Sequence, residues 1–190
     1  LACYFHKWMY VQYDCGLVLI RQEADHRAAF AARPSYLAAQ EHGIGGGEPW
    51  YCDYGIDLSR GARALKVWTA LVHYGSDRLG AAISANCRQA AFMGACVAAD
   101  GKMALAAPVT SNICVFTADA SLPADQQSGL NTRIAENLQL SGAAILSTTA
   151  IKGVICLRAA ITNHRTTEAD IEHTILAVAA ERAKQQNDPR

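Results

Sequence analysis

Apolar residues change their spacing several times along this chain, and each change marks an element. Residues 8–13 and 17–21 are two short apolar runs on either side of Asp14-Cys15-Gly16. That pattern predicts two strands joined by a hairpin turn. Residues 22–33 are charged and alanine-rich and predict a short helix or an irregular segment. Residues 34–57 predict a long loop, in which the glycines between His42 and Glu48 favour a mobile backbone without ligand. From 60 to 74, Leu65, Trp68, Leu71 and Val72 recur on one helical face. Gly75 ends that helix, and Ser76 is placed to cap a second one running to Ala99.

The remainder reads as a smaller unit of its own. Residues 103–107 and 113–118 are strand-like. Pro123 opens a helix with Leu130, Ile134 and Leu138 on one side. Residues 144–149 and 154–161 predict a strand pair across Lys152-Gly153. Thr167-Glu168-Ala169-Asp170 has the form of a capping box, starting a last helix with Ile171, Ile175 and Val178 inward. The tail 185–190 is expected to fray. The order β-β-α-β-β-α predicts a two-layer α+β domain. The chain thus divides into 1–75 and 76–190, the second part opening on the linking helix.

Composition narrows the function classes. The 17 basic residues balance 17 acidic ones and are interspersed with them, so no footprint for nucleic acid or an anionic membrane stands out. No apolar run approaches the roughly 18 residues of a membrane span, and no signal-peptide pattern opens the chain. The seven cysteines are odd in number and form no C-x-x-C pair. They read as reduced thiols in a cytoplasmic protein, not as a disulfide framework. Neither they nor the six histidines have zinc-ligand spacing, so no metal is expected. The glycine cluster fails the G-x-G-x-x-G pattern because Glu48 stands at its last glycine position. There is no G-x-S-x-G nucleophile elbow.

One short segment carries chemistry. His6-Lys7-Trp8 leads into an apolar run and then Tyr13-Asp14-Cys15-Gly16. A lysine that condenses with an aldehyde must be neutral part of the time, and burial or neighbouring positive charge supplies the neutral amine. By itself such a pair is mostly found on the surface, so the bland reading is a surface lysine beside a satisfied, partly buried histidine.

The segment from His6 to Gly16 resembles the cofactor-lysine segment of the group II pyridoxal-phosphate-dependent amino-acid decarboxylases, which include the aromatic-L-amino-acid, histidine and glutamate decarboxylases. Arg33-Pro34-Ser35-Tyr36-Leu37 resembles that family's mobile catalytic loop. Tyr54-Gly55-Ile56-Asp57-Leu58-Ser59-Arg60-Gly61-Ala62-Arg63-Ala64-Leu65-Lys66-Val67-Trp68 resembles the segment leading into its next helix. Tyr74-Gly75, Leu157-Arg158 and the stretch from Asn163 to Asp170 continue the match in order. The family usually has Asn or Asp three residues before the lysine, where this chain has Tyr4.

The resemblance implies an α/β fold: the C-terminal portion of a type I pyridoxal-phosphate-dependent transferase, comprising the end of its large domain and its α+β small domain. It implies pyridoxal 5'-phosphate as cofactor, with Lys7 joined to it and His6 beside it. The substrate would be a small-molecule amino acid, most plausibly aromatic, losing carbon dioxide to give the amine. Tyr36 would return a proton to the α-carbon from a closed lid; relatives with phenylalanine there tend to be aldehyde synthases. Arg158 is expected to be structural, since a decarboxylase gains nothing by clamping the departing carboxylate in its ground state. Arg60 and Arg63 would pair across a subunit interface or face solvent. The parent is expected to be a homodimer without nucleic-acid or membrane partners. The phosphate cup and the aspartate facing the pyridine nitrogen are expected in segments preceding this chain, which alone should then be inactive. Two alternatives stay open: an aldehyde synthase on the same scaffold, and a non-catalytic folding or dimerisation module.

Overall fold

A computed structural model describes residues 1–38, 40–47 and 49–187. The chain forms two compact units, Leu1–His73 and Tyr74–Arg190.

In the first unit, β1 (Ala2–Tyr4) pairs antiparallel with β2 (Gly16–Val18), with Cys3 opposite Leu17. Between them lies the one-turn helix α1 (Phe5–Trp8). This corrects the expected strand over 8–13. Trp8 ends a helix, and Tyr10 takes a positive φ of 55°, so the apolar run cannot extend as one strand. Its amphipathic period is also absent: of residues 8–13 only Val11 is buried. The hairpin therefore exists with its first arm six residues earlier than expected. Helix α2 (Glu23–Phe30) follows and packs on a 3₁₀ turn, Tyr51–Tyr54. Between these, the expected loop holds a short turn, Ser35–Leu37, and a bridge between Gln40 and Gly46. Helix α3 (Arg63–Ala99) starts three residues later than expected and is interrupted at Gly75, whose φ of 76° suits glycine. Leu65, Trp68, Leu71 and Val72 do share a face, and that face is exposed; Trp68 retains 62% of its surface.

The second unit follows the predicted order closely. Strands β3 (Ala104–Leu105), β4 (Ile113–Thr117), β5 (Ser147–Ile151) and β6 (Val154–Ala160) make an antiparallel sheet in the order β3-β4-β6-β5. Helix α4 (Ala124–Ser141) covers the sheet chiefly at β6 and packs on α5 (Glu168–Asn187). Lys152 and Gly153 turn β5 into β6 with positive φ at both residues, which matches the twist of a tight hairpin. The capping box is formed: the Thr167 N–H donates to Asp170 Oδ2 at 2.8 Å and the Asp170 N–H to Thr167 Oγ1 at 3.3 Å. The core joins Met93 and Val97 of α3, Phe116 and Leu157 of the sheet, Ile134 of α4 and Val178 of α5. Ile171 and Ile175 are also buried. Of the tail expected to fray, 188–190 lie outside the described residues. No described helix is long and apolar enough to cross a membrane.

Two buried polar devices lock this unit. Arg182 of α5 donates to Asp100 at 2.6 Å and to the Ala118 carbonyl at 2.8 Å, and its hydrogen bond holds the Asp100 carboxyl below the usual range. Asn131 of α4 is fully buried; it accepts from the Ala118 N–H and donates to Thr117 Oγ1 and the Ile155 carbonyl at 2.8–3.0 Å. Asn131→Leu keeps the branched shape but strips these groups of their partner. The substitution is expected to lower stability by about 3 kcal/mol, since each buried group left unpaired costs roughly 1–3 kcal/mol. Chemical denaturation monitored by circular dichroism measures it; a loss below about 1 kcal/mol would show that the three groups find other partners.

Candidate cofactor-lysine site

Lys7 sits on α1, and several backbone contacts fix that single turn. The amides of Met9 and Val11 both donate to the Phe5 carbonyl at 3.2 Å, closing the helix at its C-terminal end. His6 ties the turn to the other side of the connection. Its Nδ1 lies 2.9 Å from both the N and the O of Cys15, so it accepts from the amide in one tautomer and donates to the carbonyl in the other. Its ring lies 5.4 Å from that of Tyr4 and 4.8 Å from that of Tyr13. The cysteine end is braced in turn by α3. Arg63 Nε donates to both oxygens of Asp14 at 3.1 and 3.2 Å, and Lys66 Nζ to the carbonyls of Gln12 and Asp14 at 3.1 and 2.7 Å. The Arg63 hydrogen bond draws the Asp14 carboxyl below its ordinary pKa.

The Lys7 side chain is exposed, and its Nζ lies 5.0 Å from the centre of the Tyr4 ring. Tyr4 is the residue that departs from the expected Asn or Asp. It supplies an aromatic face for the ammonium in place of a polar contact. Among the described residues no carboxylate pairs with Lys7. The exposure of Lys7 gives an aldehyde access to the amine on its braced turn, while the burial expected to favour its neutral form is not found on this chain. Tyr4 faces both Lys7 Nζ and the His6 ring, and the Tyr13 ring also lies against His6. One neighbouring donor is unspent. Trp8 Nε1 is buried with no hydrogen-bond partner.

Tyr36 lies in the Ser35–Leu37 turn with 77% of its surface exposed. The structure brings Lys7 and His6 together on one helical turn. No hydrogen bond, ion pair or ring contact joins Tyr36 to either of them. Tyr36 instead lines a cleft of about 400 Å³ with Phe30, Arg33, Leu37, Ile56 and Leu58. Arg158, on β6, donates to Ser147 Oγ at 3.4 Å across the strand pair. Arg63 pairs with Asp14 of its own chain, and Arg60 lies 5.3 Å from the Tyr51 ring. All seven cysteines are thiols; Cys15, Cys114 and Cys156 are buried, and burial pushes the Cys114 thiol up to about 11. Among the described residues no group of three or more histidines, cysteines or carboxylates could hold a metal.

Sequence reasoning missed the buried carboxylate of Asp53. Arg33 and Arg27 both donate to it from across the loop. An aspartate within an aromatic turn, Trp50-Tyr51-Cys52-Asp53-Tyr54, was the available signal, because a carboxylate there is buried only if paired.

Comparison with known proteins adds to this geometry. The family model of the pyridoxal-dependent decarboxylase conserved domain matches residues 2–119. An aromatic-L-amino-acid decarboxylase of Drosophila melanogaster is 31% identical over 175 residues, covering 92% of this chain and 32% of that protein. The crystal structure of Oryza sativa TDC with PLP and tryptamine superposes with a TM-score of 0.85 at 20% identity, over 97% of this chain and 38% of that one. A Rhodiola rosea 4-hydroxyphenylacetaldehyde synthase does so with a TM-score of 0.80 at 22% identity, over 96% and 36%. The chain spans about a third of the length of such curated relatives.

Proposed function

Since the chain belongs to the pyridoxal-dependent decarboxylase family and carries the C-terminal portion of its type I fold, we propose that it serves a longer enzyme that removes carbon dioxide from an L-amino acid, with Lys7 as the covalent anchor of pyridoxal 5'-phosphate. The exposed amine of Lys7 on its braced turn, paired with no carboxylate among the described residues, carries this reading. Bound pyridoxal phosphate supplies an electron sink for the pair released as the carboxylate leaves. This chain's residues do the rest of what is assigned here. Lys7 Nζ would be the atom that holds the cofactor. His6, pinned through Nδ1 to Cys15, orients the turn and offers its other ring edge to the cofactor. Tyr36 donates the phenolic proton to the α-carbon, from a segment outside α1. The phosphate cup, the partner of the pyridine nitrogen and the second subunit of a homodimer are assigned to parts of the enzyme beyond this chain. An aromatic substrate is favoured because the relatives matched include aromatic-L-amino-acid decarboxylases.

A second reading has its own support. Aldehyde synthases stand among the relatives on the same scaffold. Tyr36, a proton donor where those enzymes tend to have phenylalanine, favours the amine.

Borohydride reduction of the complete enzyme followed by peptide mapping tests the anchor. The pyridoxyl mass is expected on the peptide containing Lys7. Its recovery on another lysine, with Lys7 unmodified, would overturn the assignment.

A further inference from the structure

We infer that Arg33 and Asp53 form a buried latch that fixes the base of the Tyr36 segment, which makes both of them positioning residues for proton delivery by Tyr36. The inference rests on the role given to Tyr36 above. Asp53 keeps 1% of its surface. A carboxylate so buried is tolerated only when paired and hydrogen-bonded. Arg33 meets it with a fork: Nε donates to Oδ1 at 2.8 Å, and Nη2 donates to Oδ2. Arg27 adds a contact to Oδ2 at 3.4 Å and the Trp50 N–H another at 3.3 Å. The Arg33 hydrogen bond is the main cause that holds the Asp53 carboxyl below its ordinary pKa.

The latch joins points 20 positions apart in the chain. It does so at the two ends of the segment that bears Tyr36. Trp50 reinforces the far end. Its ring lies 4.5 Å from the Arg33 guanidinium carbon, and its indole N–H donates to the Gly47 carbonyl at 2.8 Å. At the near end the coupling to Tyr36 is short and stiff. Pro34 follows Arg33 directly with its φ at −65°, and the Leu37 N–H closes the next turn on the Pro34 carbonyl at 2.9 Å. Two fixed backbone units therefore stand between the guanidinium and the phenol. Arg33 and Tyr36 also line the same cleft. A loop closed at its base explores fewer conformations, so an exposed phenol can still be delivered to one place. A planar fork matters here, because lysine could supply the charge but not two parallel hydrogen bonds.

Asp53→Asn and Arg33→Lys test the latch in two ways. The first is amide hydrogen exchange on the chain as it stands. In Asp53→Asn the amides of Leu37, Ala38, Trp50 and Asp53 are expected to exchange at least about tenfold faster, while those of α5 keep their rates and report an intact second unit. Arg33→Lys is expected to give a smaller increase, about threefold. Unchanged exchange at the four amides in Asp53→Asn overturns the latch, whatever Tyr36 does. The second readout is product partition in the complete enzyme under air. Asp53→Asn is expected to lower kcat and raise the ratio of aldehyde to amine at unchanged KM, and to raise that ratio no further when added to Tyr36→Phe. Faster exchange with an unchanged ratio in Asp53→Asn, while Tyr36→Phe alone raises it, overturns the positioning role and leaves the Tyr36 assignment standing. An unchanged ratio in Tyr36→Phe itself overturns that assignment and the positioning role with it.

Discussion

Lys7→Arg in the complete enzyme is expected to lower turnover by roughly 10³-fold or more, because it removes an intramolecular amine whose effective concentration far exceeds that of any amine in solution. The loss comes from chemistry and not from charge. Arginine keeps the positive charge and the length. Its guanidinium stays protonated at any working pH and cannot condense with an aldehyde. The escape to be watched for is a neighbouring lysine taking over. Lys66, which reaches the connection that follows this turn, spends its ammonium on the carbonyls of Gln12 and Asp14. Lys7→Ala provides the complementary test, since it leaves room where the side chain stood. Added methylamine should restore part of the lost turnover in Lys7→Ala and none in Lys7→Arg. Turnover within tenfold of the parent in either variant would place the anchor elsewhere.

The second unit was legible in the sequence, and the first was only partly so. Between 103 and 187 the hydrophobic spacing is set by local rules, and helix, strand and turn each leave their own signature. Leu130, Ile134 and Leu138 repeat at helical spacing, Lys152-Gly153 marks a tight hairpin, and Thr167 to Asp170 spells a capping box. Each of these found its expected place. The same spacing concealed Asn131. Its neighbours mark the face as apolar, while the residue itself answers the unpaired groups of β4 and β6, which belong to tertiary structure. In the first unit, residues 8–13 are apolar without a period, and such a run does not distinguish a strand from a helix end followed by a bend. The left-handed backbone at Tyr10 decided the matter.

The candidate site was legible in the same uneven way. Lys7, His6 and Tyr36 were marked by motif. The contacts that hold them were not, because Arg63 reaches Asp14 across 49 positions and Arg33 reaches Asp53 across 20. Charged residues in a loop read as solvated until the fold brings them together. The apolar face of Leu65, Trp68, Leu71 and Val72 has the opposite character. Its pattern alone would predict burial, and the chain leaves it exposed.

Tyr36→Phe in the complete enzyme is expected to change what is made more than how fast substrate is consumed. Phenylalanine keeps the ring in the Ser35–Leu37 turn and removes only the phenolic oxygen. The cleft wall formed with Phe30, Leu37, Ile56 and Leu58 is therefore preserved. Without the donor, the α-carbon left electron-rich by loss of carbon dioxide waits longer for a proton. Positioned general acids contribute about 10²–10⁴-fold to such a transfer, so a competing reaction with oxygen gains by a similar factor. Oxygen takes the electron pair and is reduced to hydrogen peroxide. Water then supplies the oxygen of the aldehyde, and the nitrogen leaves as ammonia. One amino acid, one oxygen and one water thus give one each of carbon dioxide, aldehyde, ammonia and peroxide. The 77% exposure of the phenol makes the ring tolerant of substitution, which separates this effect from a folding defect. Amine, aldehyde and peroxide assayed together under air, and again under nitrogen, provide the measurement. Peroxide and aldehyde should rise together in air, and neither should rise under nitrogen. An unchanged amine yield in air with no peroxide would remove Tyr36 from the role of proton donor and return the discriminating residue to another part of the enzyme.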